Sequence, residues 1–198
     1  MANHVHTAVY FQKINDAAKA KLQELYSLIR SDTDYEWFAD MMVDGAEGSP
    51  THEETDLRSW CIDNVGAKWC YFEDRDDEHF TTESAWSWPQ EGVEWVIVQL
   101  AKVDPELLTV VRYEDEMPNF YGAYVYKGDE LIDGCQDTWE ELVEMLNDGV
   151  EGLAEHWDEE EEYWNEEGRE LMYEHLYDYV NDRQDEIVDD ALDGIDDK

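Results

Sequence analysis

A chain that carries fifty-three aspartates and glutamates against thirteen lysines and arginines can fold only in ways that leave nearly every carboxylate in water. Each helix or strand then has one face to bury and one to hold charge. The remaining residues suffice for a core, since 42% of the chain is hydrophobic and nine Trp, twelve Tyr and five Phe supply bulk, which separates it from disordered acidic chains. Self-repulsion at a net charge of −40 stabilises no fold. The excess therefore serves either a high-salt habitat or a cationic partner, and 198 residues suit one domain with an appendage or two small domains.

No run of eighteen apolar residues occurs, and Met1-Ala2-Asn3-His4 lacks the basic and apolar regions of a signal peptide, so the expectation is a soluble intracellular protein. Cys61, Cys70 and Cys135 are odd in number and irregularly spaced. They read as buried free thiols rather than as disulfides or zinc ligands.

Charge divides the chain unevenly. Residues 1–138 hold 29 acidic and 10 basic side chains, whereas residues 139–198 hold 24 and 3. In the first region Val5 to Phe11 reads as a strand, and Asn15 or Asp16 caps a helix to about Ile29 with Ala18, Leu22, Leu25 and Tyr26 on one face. A polar connection from Ser31 to Thr55 contains a short packed helix at Trp37, Phe38, Met41 and Met42, and Leu57 to Asn64 forms a helical turn ending at Val65-Gly66. Lys68 to Phe72 and His79 to Trp88 make a hairpin around the acidic 73–78 tip. Pro89 then starts a helix over about Glu91 to Lys102, and strands follow at Leu107 to Glu114 and Phe120 to Lys127. The β-α-β-β-α-β order, with one strand added, predicts an α+β fold of the ferredoxin-like split βαβ type over residues 1–135: an antiparallel sheet with helices on one face.

Two motifs carry a resemblance. Trp60-Cys61-Ile62-Asp63-Asn64-Val65-Gly66-Ala67-Lys68-Trp69 is similar to a tryptophan-asparagine-glycine-lysine-tryptophan motif of the YubB ferredoxin-like domain proteins of phages and plasmids, and Ser84-Ala85-Trp86-Ser87-Trp88-Pro89 resembles that family's aromatic-serine-proline stretch. Asn3 and the Tyr113-Glu114 to Phe120-Gly122 segment extend the likeness over roughly residues 1–135. Val65 and Ala67 stand where the motif often has Trp and Thr, and Trp88 replaces a proline. The resemblance implies a fold and a mobile-element origin, without a reaction.

Residues 136–198 read as an acidic helical region. Thr138 and Glu141 form a capping-box pattern ahead of Trp139, Leu142, Val143 and Leu146, a further helix is expected over Val150 to Glu166, and from about Glu167 to Leu192 apolar residues recur at three and four. Val150 to Asp197 holds 20 acidic and 2 basic residues. Fully helical, those 48 positions extend about 70 Å, one net charge per about 4 Å, so that two such helices side by side, or a homodimer, approach the linear charge density of duplex DNA.

His4 and His6 share a strand face without a clear third metal ligand, and Asp74-Asp76-Glu78 lacks the glycine and distal glutamate of a calcium loop. His52, His79, His156 and His175 are scattered, and no phosphate-binding glycine loop, serine elbow or Cys-His pair is evident. Trp60, Trp69, Trp86 and Trp88 are expected to pack the body, with Gly66 allowing a tight turn. The charge disfavours direct nucleic-acid binding. The expectation is a non-enzyme without cofactor or metal: a phage-encoded DNA mimic, acting in the cytoplasm of the infected cell, that blocks the nucleic-acid-binding surface of a basic host protein such as a defence nuclease, a restriction or CRISPR-type complex, or a nucleoid or transcription protein. Its phosphate-like groups would be Asp158, Glu159, Glu160, Glu161, Glu162, Glu166, Glu167, Glu170, Glu174, Asp178, Asp182, Asp185, Glu186, Asp189 and Asp190. The competing readings are an assembly protein that docks through its helical tail, and a halophilic acidic protein without mimicry.

Overall fold

A computed structural model describes residues 3–29, 37–43, 57–158 and 163–196. The chain is a mixed α/β structure around one six-stranded antiparallel sheet, with a long C-terminal helix. Strands β1 (His4–Gln12), β2 (Cys70–Arg75), β3 (His79–Ala85), β4 (Leu108–Asp115), β5 (Phe120–Lys127) and β6 (Glu130–Thr138) lie in the order β2-β3-β1-β4-β5-β6. Because β3 is antiparallel to both neighbours, β1 and β2 run the same way with β3 between them.

Alternation along β1 sends Val5, Thr7, Val9 and Phe11 to one face and His4, His6 and Tyr10 to the other. On the first face sit helices α1 (Asp16–Ser27), α2 (Trp37–Val43), α3 (Leu57–Asn64) and α4 (Gln90–Ala101), and Leu22, Phe38, Phe72, Phe80, Val96 and Val111 close one core with them. Asn15 caps α1, its Oδ1 accepting from the Ala18 N–H at 2.9 Å. Trp88 is buried and stacks on Tyr113 with ring centroids 4.9 Å apart. Gly66 sits at φ 88°, a left-handed turn that favours glycine, as the motif reading expected.

Trp86 departs from expectation. It is 55% exposed rather than packed, its φ is 75°, and Lys68 Nζ lies 5.8 Å from its ring. The left-handed backbone ends β3 at Ala85, short of the Trp88 that the sequence suggested, and swings the indole off the sheet. Trp60 and Trp69 are partly buried.

Beyond β5 the chain differs from the reading in two places. Strand β6 runs across residues 130–138, where none was expected, pairing with β5 from Lys127↔Glu130 to Phe120↔Thr138. The helix expected over Val150 to Glu166 does not form as such: a 3-10 turn at Leu153–His156 is followed by β7 (Trp157–Asp158) paired with β8 (Tyr163–Trp164). Gly152 at φ 84° breaks the helical path, and the Trp157 and Trp164 rings, 5.0 Å apart, brace the ribbon. Helix α5 (Trp139–Gly149) carries the full capping box at Thr138 and Glu141, as read.

The last helix, α6 (Glu166–Asp196), returns across the second face of the sheet over β4, β5 and β6. Met172, Leu176 and Val180 pack with Tyr121, Leu142 and Leu146, and Ile187, Val188 and Ala191 pack on Val110, Ala123 and Val125. The second faces of β1, β3 and β2 bear no helix among the described residues.

Candidate partner-binding surface

The carboxylates of α6 are ordered by its packing. Gly168, Met172, Leu176, Val180, Gln184 and Val188 are all buried and follow one another at four-residue intervals. Glu166, Glu170, Glu174, Asp178, Asp182, Glu186 and Asp190 follow the same interval two residues out of step, and all are exposed. Two residues correspond to about 200° around a helix of 3.6 residues per turn, so each acidic residue lies opposite its neighbour in the seam, and the two rows wind together around the helix by about 40° per four-residue step. Adjacent carboxylates in the row sit about 6 Å apart along the axis, and the row covers about 36 Å.

The seam is polar at one point. Gln184 is 2% exposed, and its Nε2 donates to the backbone carbonyls of Tyr113 at 3.0 Å and Gly122 at 3.2 Å, tying α6 to β4 and β5. Arg112 on β4 reaches Asp185 at 2.6 Å, and Arg183 binds both Asp137 at 2.7 Å and Glu186 at 2.5 Å. These contacts neutralise Asp185 and Glu186 in part. Glu166, Glu170, Glu174, Asp178, Asp182, Asp189 and Asp190 have no cationic partner among the described residues, and His156 comes within 4.0 Å of Glu167. Asp158 lies in β7, away from the row, and Glu159, Glu160, Glu161 and Glu162 lie outside the described residues.

On the flank that faces the uncovered strands, the row is edged by rings that sequence reasoning missed. Tyr173 and Tyr177 are 49% and 48% exposed and immediately precede Glu174 and Asp178. The Tyr177 hydroxyl donates to the Glu116 carbonyl at 3.4 Å, and the Tyr173 hydroxyl lies 3.9 Å from Met117 Sδ, so both rings lean toward the β4–β5 turn. The signal was available in the four-residue repeat of aromatic-acidic pairs.

Across from this flank the open half of the sheet carries His4 paired with Glu83, His6 Nδ1 at 2.8 Å from Glu73, and Tyr10 stacked on His79 at 6.0 Å. A cavity of about 240 Å³ bounded by His4, His6, Glu114 and Tyr177 lies in the step beside α6. Among the described residues no group of three or more His, Cys, Asp or Glu side chains could hold a metal ion. Asp76 spends its carboxylate on the hairpin tip, accepting from the Glu78 and His79 N–H groups at 2.7 and 2.8 Å, as an acidic turn does. Cys61 and Cys70 are buried and form no disulfide, and Cys135 is half-buried, its Sγ donating to Asp137 at 3.0 Å. No helix among the described residues is long and apolar enough to cross a membrane.

Burial raises the carboxyls of Glu114 and Asp115 above their ordinary values of 4.5 and 3.8, against the pull of nearby His6 and Gln184 on the first and of hydrogen bonds from Asn119 on the second. The folded state then binds their protons more tightly than the unfolded chain does. Stability should rise as pH falls from above these raised values toward the ordinary ones. Asp76, lowered by its hydrogen bond from the Glu78 N–H, works the other way only below 3.8. Calorimetry at constant ionic strength should therefore give a higher Tm at pH 5 than at pH 7.5; a lower one would contradict this assignment.

No protein family, curated protein or solved structure matches the chain.

Proposed function

We propose that this protein is an acidic nucleic-acid mimic, phage-encoded and acting in the cytoplasm of the infected cell, that occupies the nucleic-acid-binding surface of a basic host protein and carries out no catalysis itself. The observation that carries the reading is the seven-carboxylate row of α6, held opposite a buried seam and mostly without cationic partners. A solvated face on an ordinary helix mixes signs; here only Arg169 and Arg183 oppose twelve carboxylates within Glu166–Asp196. A row of fixed negative charge meets Lys and Arg placed to neutralise phosphates and binds with strong salt dependence.

The sheet supports a supporting role for the body. Its β1-α1-β2-β3-α4-β4 part, in the spatial order β2-β3-β1-β4, fits a ferredoxin-like split βαβ unit extended by β5 and β6, in line with the resemblance to YubB proteins and the mobile-element origin that it implies. The apolar side of α6, which a docking tail would offer to a partner, is buried against β4 and β5 of its own chain. That weighs for mimicry over docking.

The test is retention of bacterial lysate proteins on the immobilised protein, eluted by a salt gradient with and without added nucleic acid. A nucleic-acid-binding protein that elutes early in salt and is competed away by nucleic acid is the expected result. Retention indifferent to both salt and nucleic acid would overturn the reading.

A further inference from the structure

Resting on the mimicry reading, we infer that the surface imitates one strand of nucleic acid rather than a duplex, and that its partner is a protein with a single-strand-binding groove, cationic and lined with aromatic side chains. The first ground is charge density. Twelve carboxylates against two guanidiniums over thirty-one residues leave ten net charges on a helix about 46 Å long, one per about 4.6 Å. A duplex presents one charge per about 1.7 Å of axis and a single stacked strand one per about 3.4 Å, so α6 falls on the single-strand side. The helix expected over Val150 to Glu166, which would have continued the acidic scaffold, is a 3-10 turn and a short ribbon in the described residues.

The second ground is independent of charge. A single strand shows a phosphate row along one edge and base faces beside it, and grooves that bind such strands combine positive charge with aromatic side chains that stack on the bases. Tyr173 and Tyr177 place two half-exposed rings on one flank of the acidic row at the same four-residue interval, each next to a carboxylate, with the exposed Met117 beside them. A duplex-binding surface, which approaches phosphates with its bases stacked inside, has no use for these rings. A single-strand groove can stack on them as it does on bases.

Two defined probes separate the outcomes: an oligomeric OB-fold single-strand-binding protein holding labelled dT20, and a nucleoid protein of HU type holding a labelled 20-base-pair duplex, with displacement followed by fluorescence anisotropy. The protein should displace dT20 at concentrations at least about tenfold below those needed for the duplex. The paired variant Tyr173→Ala with Tyr177→Ala should weaken displacement of dT20 by about tenfold or more, on the scale of lost base stacking, while Tyr173→Phe with Tyr177→Phe, which keeps the rings, should not. Both positions are half-exposed, and circular dichroism checks that the variants fold. Displacement of the duplex as readily as of dT20 would overturn the single-strand inference and leave mimicry standing. An alanine pair that binds like the parent would also overturn it. Displacement of neither probe would overturn the inference together with the mimicry reading.

Discussion

Conversion of Glu166, Glu170, Glu174, Asp178, Asp182, Glu186 and Asp190 to their amides is expected to abolish partner binding while making the fold more stable. The row winds around the helix by about 40° per step, so one basic groove meets about four of its carboxylates, which predicts a slope of about −3 in log K against log salt and, on their removal, a loss of at least about 10²-fold in affinity with the slope collapsing toward zero. The same change relieves six like-charge pairs at i,i+4, each of which costs an isolated helix about 0.2–0.5 kcal/mol. The variant should therefore gain about 1–3 kcal/mol, seen as a Tm several degrees higher. Opposite movement of affinity and stability is the signature of a row maintained for a partner. If binding survives the amides, α6 holds its carboxylates for solubility alone, and the halophilic or docking readings move ahead.

The second large effect concerns the seam. Leu176→Asp places a carboxylate among Tyr121, Leu142 and Leu146, where Leu176 is 1% exposed. Loss of the apolar side chain, a cavity, and a buried charge without a partner together should cost about 4 kcal/mol or more. Asp178→Asn, two residues away on the outer face, relieves two of the like-charge pairs and should leave the fold at least as stable, by up to about 1 kcal/mol. Urea titrations of the two variants read the contrast directly, and hydrogen exchange should show α6 amides of the Leu176 variant losing protection ahead of β1 and β3. Equal midpoints would mean that α6 is not held by this seam.

Most of the sheet was legible in the sequence because its strands alternate and its helices bury one face. Val5, Val9 and Phe11 announce β1, Asn15 announces α1, and the Thr138–Glu141 box announces α5. Strand β6 escaped because it is an edge: Glu130, Leu131, Asp133, Gln136 and Thr138 are exposed, only Asp137 is buried, and no alternation of apolar and polar residues survives. The region after Gly149 misled for a different reason. Glutamate favours helix wherever packing does not decide, and the acidic stretch there outweighed the single break at Gly152. The acidic side chains of α6 were legible one by one. Their alignment opposite the seam was not, because only the sheet decides which four-residue row turns inward. Arg112 and Gln184 belong to the same class: nothing in the sequence singles them out until β4 and α6 are brought together.

The two parallel rows of α6 also govern how such a chain can change over generations. A substitution on the outer row leaves the seam untouched, so this surface can drift through Asp, Glu, Asn and Gln as a partner changes. A one-residue deletion between Met172 and Val188 would turn everything downstream by about 100°, carrying carboxylates toward the sheet and seam residues into water. An insertion of four residues would turn it by only about 40° and lengthen the row by one charge spacing. Lineages of this protein should therefore vary freely in the letters of α6, rarely in its length, and then preferentially by whole turns.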